Sequence, residues 1–329
     1  MKIFLTGSSG FIGSRLVERL IAENHEVILL LRNPGRNLWF DRNKVKIVEG
    51  DLFDTGLLIQ GMKGCELVFH LAAYTKPWSK DPAVPFSVNV TGTVNILESA
   101  LKAGVKRVVI TSSCGTFGYS DSGSVVNELT VRDKTLFTEY EKTKAEAEQL
   151  ALEFCSKGLE VVIVNPSRLY GPGFFTSGNS MTRIIRGYMR GTWRIIPGNG
   201  KAIGNYVFID DVVDGHIKAA LRGASGEKYI LGGENLSFSK LFNIIGEESG
   251  KKRLMIHFPP ILIRAIIKII RTGTGILGMP PPITEEWIEK YMKDAVISSD
   301  KAISLLGYKI TPFRAGVRKT IDWLRNVGK

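Results

Sequence analysis

The chain has 329 residues, 44% of them hydrophobic and 23% charged, so it can bury a large core and is too apolar to be disordered. Its formal net charge is +12, but the basic residues are dispersed and only Lys251-Lys252-Arg253 forms a short run, so we expect no nucleic-acid partner. Three cysteines without a C-x-x-C spacing and four histidines far apart in sequence predict neither a disulfide framework nor a metal site.

The N-terminus and the apolar runs indicate where the protein works. Met1 is followed directly by KIFLTG, which lacks the charged and apolar regions of a signal peptide. No apolar run reaches the roughly 20 residues needed to span a bilayer. We therefore expect a cytoplasmic protein without a membrane span.

Short apolar runs alternate with segments of helical periodicity through the first half of the chain. The apolar runs are continuous in Val, Ile and Leu, as in strands that are buried on both faces. The predicted strands are 3–5, 26–31, 45–49, 67–70, 107–111 and 161–165, and the predicted helices are 11–24, 84–103 and 138–156. This alternation predicts an α/β fold with a doubly wound parallel sheet of the Rossmann type.

The character of the sequence changes after Tyr170, where GPGFFTSGNS predicts a loop. The segment YVFIDDVVDGHIKAAL then predicts a strand and a helix that return to the sheet. We therefore expect a dinucleotide-binding domain of residues 1–171 plus 206–225, and a smaller C-terminal α/β substrate lobe of residues 172–205 plus 226–329. Ligands of open α/β sheets bind at the carboxyl ends of the strands, so this lobe is expected to close over that edge.

The stretch TGSSGFIG lies between the first predicted strand and the first predicted helix. Its glycines, Gly7, Gly10 and Gly13, allow a tight turn, while the helix N-terminus offers free N–H groups to a pyrophosphate. The strand–turn–helix context makes this a dinucleotide-binding loop rather than a chance glycine triad. We expect the cofactor to contact the loop at Gly7, Ser9, Gly10, Phe11, Ile12 and Gly13.

The second predicted strand ends at Leu31 and opens onto Arg32 and Arg36. An acidic residue at this tip would bond the ribose 2′-hydroxyl of NAD, whereas an arginine accommodates the 2′-phosphate of NADP. The sequence therefore favours NADP(H) as the cofactor, with NAD(H) possible, unless both arginines are simply exposed loop charges. Asp51 and Leu52, after the third strand, are expected to flank the adenine.

The stretch YEKTK puts Tyr140 and Lys144 on one face of a helix that begins at the capping residue Thr138. The ammonium is expected to lower the pKa of the phenol from its ordinary ~10, as a proton donor or acceptor requires. TSSCGTFG directly follows the fifth strand, so Ser112 or Ser113 is expected to reach a substrate carbonyl at the carboxyl edge of the sheet.

With these three motifs in order, the chain resembles the extended branch of the short-chain dehydrogenase/reductase superfamily, the NAD-dependent epimerase/dehydratase family. The resemblance covers nearly the whole chain, and its pattern is closest to dihydroflavonol-4-reductase-like and 3β-hydroxysteroid dehydrogenase-like members. The segments that carry it are GDLFD, HLAA, NVTGT, NPSRLYGPG, YVFIDDVVDG and the late DKAISLLGY.

The resemblance implies a catalytic set of Ser113, Tyr140 and Lys144. Ser113 would polarise the carbonyl, Tyr140 would pass the proton, and Lys144 would hold the cofactor ribose. Ser112 is the alternative to Ser113, or else a buried hydroxyl bonded to backbone, and Cys114 is expected to be a small core residue. Further residues implied to border or support the cofactor are Leu71, Ala72, Ala73, Asn89 and Pro166.

Two departures from the pattern of the branch bear on the substrate. Sugar dehydratases of the branch carry an Asp-Glu pair where this chain has Cys114-Gly115, so dehydration is not expected. Nucleotide-sugar epimerases usually carry an Arg-Asp pair, with the arginine on the diphosphate, where this chain has Gly204-Asn205. The arginines left to replace that clamp are Arg183, Arg186, Arg190 and Arg194.

These observations favour an enzyme that transfers hydride between NADP(H) and a carbonyl or hydroxyl of a small, fairly apolar or phenolic molecule, in the manner of dihydroflavonol-4-reductase-like proteins. The alternative is a 4-epimerase of a nucleotide-linked or hopanoid-associated sugar with a retained NAD. A regulator that binds the cofactor without turnover is a third hypothesis, against which the intact serine, tyrosine and lysine argue. The resemblance also implies a homodimer that packs helices 84–103 and 138–156 together.

Overall fold

The computed structural model describes residues 1–35, 40–76, 79–120, 123–130, 136–276 and 285–327. Its strands there are β1 Lys2–Thr6, β2 Glu26–Leu31, β3 Lys46–Glu49, β4 Leu67–His70, β5 Arg107–Thr111, β6 Glu160–Pro166, β7 Arg168–Tyr170, β8 Ile195–Pro197, β9 Ile203–Phe208, β10 Lys228–Leu231, β11 Glu234–Ser237 and β12 Ile256–Phe258. Seven of them form one sheet in the order β10-β6-β5-β4-β1-β2-β3, and every neighbouring pair is parallel. The predicted Rossmann-type sheet is confirmed.

Helices cover both faces of this sheet. In the described ranges they are α1 Phe11–Ala22, α2 Thr55–Met62, α3 Ala83–Phe86, α4 Gly92–Lys102, α5 Glu139–Glu153, α6 Ser180–Arg190, α7 Ile209–Arg222, α8 Phe238–Ser249, α9 Pro260–Ile276, α10 Glu285–Met292 and α11 Phe313–Val327. A π-helical turn, Ser87–Thr91, joins α3 to α4, so the predicted helix 84–103 is one interrupted helix. None of the described helices is long and apolar enough to cross a membrane.

Successive side chains of the central strand β1 enter two different cores. Ile3 and Leu5 belong to the larger core, whereas Phe4 lies in a second one on the other face, and all three are fully buried. Alternation of this kind is what a strand with helices on both sides requires. It explains why the apolar runs of the first half are continuous rather than alternating.

The second half of the chain departs from the prediction at two strands. β9, predicted to return to the main sheet, pairs instead with β7 and β11 in a three-stranded sheet. β10, predicted to belong to the lobe that begins at residue 226, lies at the edge of the main sheet beside β6. The strand that returns to the Rossmann sheet is therefore 228–231, and α7 is the helix that leads to it.

Candidate functional site

The glycine loop between β1 and α1 brings the backbone close to the next strand connection. Gly7 has a φ of +79°, and a Cβ there would lie 2.6 Å from the backbone nitrogen of Ala72. The Gly10 N–H donates to the Gly7 carbonyl at 2.9 Å. Helix α1 begins after Gly10 without a side-chain cap and with no acid in its first turn, so its first N–H groups and positive dipole end suit an anion such as a pyrophosphate.

The other predicted loop residues are only partly open. Ser9 and Ile12 are half-buried, and Phe11 is buried, packed against the backbone near Gly173. Gly13 is buried where a Cβ would strike the Gly7 carbonyl, so a side chain at either glycine is excluded. The loop thus forms a cradle that admits backbone contact from a ligand.

The tips of β2 and β3 carry the residues predicted to select the cofactor. Arg32 is exposed directly after β2, while Arg36 lies outside the described residues. Asp51 is exposed and accepts a hydrogen bond from the Phe53 N–H at 2.8 Å. Leu52 is buried, and its carbonyl accepts from the Asn95 side chain at 2.9 Å. Arg32 is exposed and forms no ion pair with the described residues, so its guanidinium can meet a phosphate there.

The loop after β4 is tied to the neighbouring elements by Asn89, which lies in the π-helical turn and is fully buried. Its side-chain oxygen accepts from the Tyr74 N–H at 2.7 Å, and its Nδ2 donates to the Tyr74 carbonyl at 3.2 Å and to the Thr143 hydroxyl at 3.0 Å. Asn89 therefore links Tyr74, which directly follows the half-buried segment 71–73, to Thr143 of helix α5, one residue before Lys144.

Helix α5 presents Tyr140 and Lys144 one turn apart, as predicted from their spacing. It begins with a capping box, in which the Glu141 N–H donates to the Thr138 hydroxyl at 3.2 Å and the Thr138 N–H donates to the Glu141 carboxylate at 3.1 Å. Lys144 is 2% exposed, and burial lowers the pKa of its ammonium to about 8.

The pKa of Tyr140 contradicts one expectation. Burial raises the pKa of the phenol above its ordinary value, and the Glu141 and Glu148 carboxylates raise it further. The predicted lowering of this pKa is thus wrong for the protein alone, because desolvation and negative charge set the direction of its shift. Tyr140 is consequently a phenol that keeps its proton at neutral pH.

The two candidate serines at the end of β5 have separate surroundings. The Ser112 hydroxyl is buried and donates to the Glu148 carboxylate at 2.5 Å, rather than to backbone as one alternative proposed. Ser113 is half-buried, accepts from the Gly115 N–H at 3.2 Å, and lines a cavity. Of the two, only Ser113 has access to a ligand.

A buried carboxylate beneath the site was missed by sequence reasoning. Glu148 is 1% exposed. Besides Ser112, its Oε1 accepts from Thr116 at 2.8 Å and from Asn165 at 2.7 Å, and its Oε2 pairs with Lys228 at 2.7 Å. Glu148 follows Lys144 by four residues on the same face of α5, and that spacing is the one signal in the sequence that points to it.

The cavity beside Ser113 contains groups that no motif indicated. It is lined by Ser113, Cys114, Gly115, Gly118, Tyr119, Ser167, Arg168, Asn205, Lys290, Ala295 and Ile297. Glu141, fully buried behind it, accepts from the Tyr119 hydroxyl at 2.6 Å and pairs with Lys290 at 2.8 Å. Burial raises the pKa of the Cys114 thiol to about 11, so this side chain is a neutral thiol and not a nucleophile.

Arg168 of β7 occupies the space that Gly204 leaves on β9. Its guanidinium carbon lies 4.7 Å from the ring centroid of Tyr291 and 5.6 Å from that of Tyr206, and it donates to the Tyr206 hydroxyl at 3.3 Å. A side chain at Gly204 would strike it. The arginines that the sequence offered in place of an epimerase clamp are Arg183, Arg186, Arg190 and Arg194, none of which is among the described lining residues.

Comparisons with known proteins agree with this architecture. Residues 3–232 match the NAD dependent epimerase/dehydratase family. A putative dihydroflavonol 4-reductase from Synechocystis is 31% identical over 99% of this chain and 95% of its own. A UDP-glucose 4-epimerase from Mycolicibacterium smegmatis is 33% identical over 70% of this chain and 77% of its own.

Among solved structures, that of gox2253 superposes with a TM-score of 0.82 at 32% identity, over 99% of this chain and 98% of its own. The match extends beyond the Rossmann sheet to the second half of the chain. The protein therefore belongs to the NAD dependent epimerase/dehydratase family, within the extended short-chain dehydrogenases/reductases.

Proposed function

We propose that the protein is an oxidoreductase that transfers hydride between NADP(H) and a carbonyl or hydroxyl group of a small molecule. One observation carries the proposal: Ser113 opens into a cavity at the carboxyl end of β5, next to the helix that bears Tyr140 and Lys144. Tyr140 does not itself line the cavity, but its neighbour Glu141 packs against Gly115 of the cavity wall, so the start of α5 lies next to the cavity.

Each residue of the set has a role that its surroundings support. The Ser113 hydroxyl, open to the cavity, donates a hydrogen bond to the carbonyl oxygen of the substrate. Tyr140 retains its proton because it is buried, so it protonates that oxygen as negative charge develops. Lys144, buried beside it on α5, supplies the positive charge that makes the resulting tyrosinate tolerable.

A nicotinamide nucleotide would be held by the glycine cradle, the uncapped start of α1 and the segment 71–73. When bound, it would supply or take up the hydride. Arg32 supports NADP(H) over NAD(H), because an exposed guanidinium at the tip of β2 can pair with a 2′-phosphate. Ser113 and Tyr140 then orient the substrate around the reacting carbon. Asn89 holds the loop after β4 in place.

A nucleotide-sugar 4-epimerase with a retained NAD is the second candidate, supported by the M. smegmatis relative. The likeness to the Synechocystis protein, which extends over almost the whole of both chains, favours a reductase.

The test is to gel-filter the purified protein, denature it, and identify any nicotinamide nucleotide that is released per chain. A reductase exchanges its cofactor every turnover, so we expect empty protein that binds NADPH more tightly than NADH and reduces members of a carbonyl panel. Near-stoichiometric NAD(H) would instead favour the epimerase and refute the role given to Arg32.

A further inference from the structure

Arg168 is a cation at the cavity wall without an anionic partner. It is half-buried, it contacts the Tyr206 and Tyr291 rings, and its one hydrogen bond among the described residues goes to the neutral Tyr206 hydroxyl. It forms no ion pair with any carboxylate in the described part of the chain. Most of the other arginines there form an ion pair or donate a hydrogen bond to a backbone carbonyl. A guanidinium removed from water normally has a paired charge or hydrogen-bond acceptors.

The charges around the cavity leave a net positive site. Its described lining residues include two cations, Arg168 and Lys290, and no acid. The Lys290 ammonium is balanced by the buried Glu141 carboxylate 2.8 Å away. The positive charge of Arg168 is therefore left over, and its forked N–H groups suit a planar or tetrahedral oxyanion.

A second group at the cavity lacks a partner, independently of Arg168. The Ser167 side chain is 7% exposed and lines the cavity, and its hydroxyl oxygen makes no hydrogen bond with any residue that the structure describes. A buried hydroxyl left unsatisfied costs roughly 1–3 kcal/mol. Ser167 precedes Arg168 directly, so a hydroxyl donor and a guanidinium donor meet the same cavity.

We propose that Arg168 and Ser167 recognise a compact oxyanion of the substrate, a carboxylate or a phosphate, while Ser113 on the same cavity faces its carbonyl. This inference deepens the proposed function and rests on it for the identity of the reacting group. Arg168 is thus a specificity residue, and the substrates are small anionic carbonyl compounds or alcohols.

Binding is measured without turnover, so that the inference and the proposed function can fail separately. Benzoate, phenyl phosphate and neutral benzamide are titrated calorimetrically into the full-length protein, with and without NADP⁺. We expect an anion to bind and benzamide not to. Arg168→Met should weaken anion binding roughly 10-fold or more, as loss of a charged hydrogen bond predicts, and Arg168→Lys should fall between. The exposed Arg271→Met is the matched control and should bind normally.

Thermal unfolding separates recognition from a structural role. A ligand that binds only the folded protein raises its Tm, so the anion should stabilise the wild type and not Arg168→Met. Without anion, Arg168→Met should be as stable as the wild type or more so, because it removes an unpaired charge from the cavity. The tighter of the two anions identifies the group as carboxylate or phosphate. Equal anion binding by Arg168→Met, or no saturable anion binding by the wild type, would overturn the proposal.

Discussion

Two features of the surroundings of Tyr140 bear on its proposed role in proton transfer. It lies one turn before the buried Lys144, yet burial and the nearby Glu141 and Glu148 carboxylates raise the pKa of its phenol. A group in that state donates a proton readily only when negative charge develops beside it, as on a carbonyl oxygen that receives hydride. The surroundings of Tyr140 therefore suit the role of proton donor that we propose for it.

Tyr140→Phe keeps the aromatic ring and removes the phenolic hydroxyl that would donate the proton. We expect kcat/KM for carbonyl reduction to fall by a factor of ~10² to 10⁴, the usual contribution of a positioned acid, with NADPH affinity little changed. Steady-state kinetics and a fluorescence titration of NADPH measure the two quantities. Tyr188→Phe is the control, since it also removes a partly buried hydroxyl, one that donates to the Lys251 carbonyl. Unchanged turnover in Tyr140→Phe would refute the mechanism.

For single residues, the sequence predicted which side chains belong to the candidate site better than it predicted which groups contact them. Tyr140 and Lys144 follow from a local spacing on one helix, and the glycines follow from a local turn. Ser112 and Ser113 remained alternatives, because adjacent residues at a strand end face different neighbours and only tertiary structure shows which. Arg168 could not be found at all, since its meaning depends on Gly204, 36 positions later, being too small to exclude it.

Helix α5 carries the side chains of the proposed site at intervals of four residues, Tyr140, Lys144 and Glu148, on a single face. The last of them fastens the helix to the sheet. Its carboxylate accepts from Ser112 after β5 and Asn165 in β6, and it pairs with Lys228 in β10. Glu148 thus holds the helix in register with three strands, and that register sets where Tyr140 and Lys144 lie.

Glu148→Gln should lower the free energy of unfolding by about 3 kcal/mol, because it leaves Lys228 without its counter-charge and turns an acceptor into a donor. Urea denaturation followed by circular dichroism measures the change. Glu153→Gln, an exposed position on the same helix, should lie within about 0.5 kcal/mol of the wild type. Equal stability of the two variants would show that Glu148 does not fasten the helix.

The placement of two strands marks what periodicity can and cannot predict. β9 and β10 are both short, mostly buried strands. A hydrophobic run predicts that a strand is buried, but it does not predict which strand pairs with it. β9 was therefore wrongly expected in the main sheet, and the segment that forms β10 was wrongly placed in the C-terminal lobe. The first six strands were correctly expected to form a parallel sheet, because the helices predicted between them act as crossovers.

The whole molecule buries two neutral imidazoles in its cores. His70 bonds the Thr6 hydroxyl through Nδ1 at 2.8 Å and the Thr93 hydroxyl through Nε2 at 3.1 Å, and His216 of α7 bonds the Thr111 hydroxyl at 2.9 Å. Burial lowers the pKa of His70 to about 3 and that of His216 to about 4. Neither ring can take up a proton in the folded protein at moderately acidic pH.

Acid should therefore destabilise the fold before its carboxylates titrate. Below the ordinary histidine pKa of about 6.5 the unfolded chain binds two protons that the folded chain does not, so stability falls with pH by up to ~1.4 kcal/mol per pH unit for each ring. Urea unfolding at pH 7, 6 and 5 measures this slope. His216→Gln should remove about half of it, whatever its effect at pH 7, while the exposed His257→Gln should leave it intact. A slope that is the same in all three proteins would mean that the acid sensitivity arises elsewhere than in these buried rings.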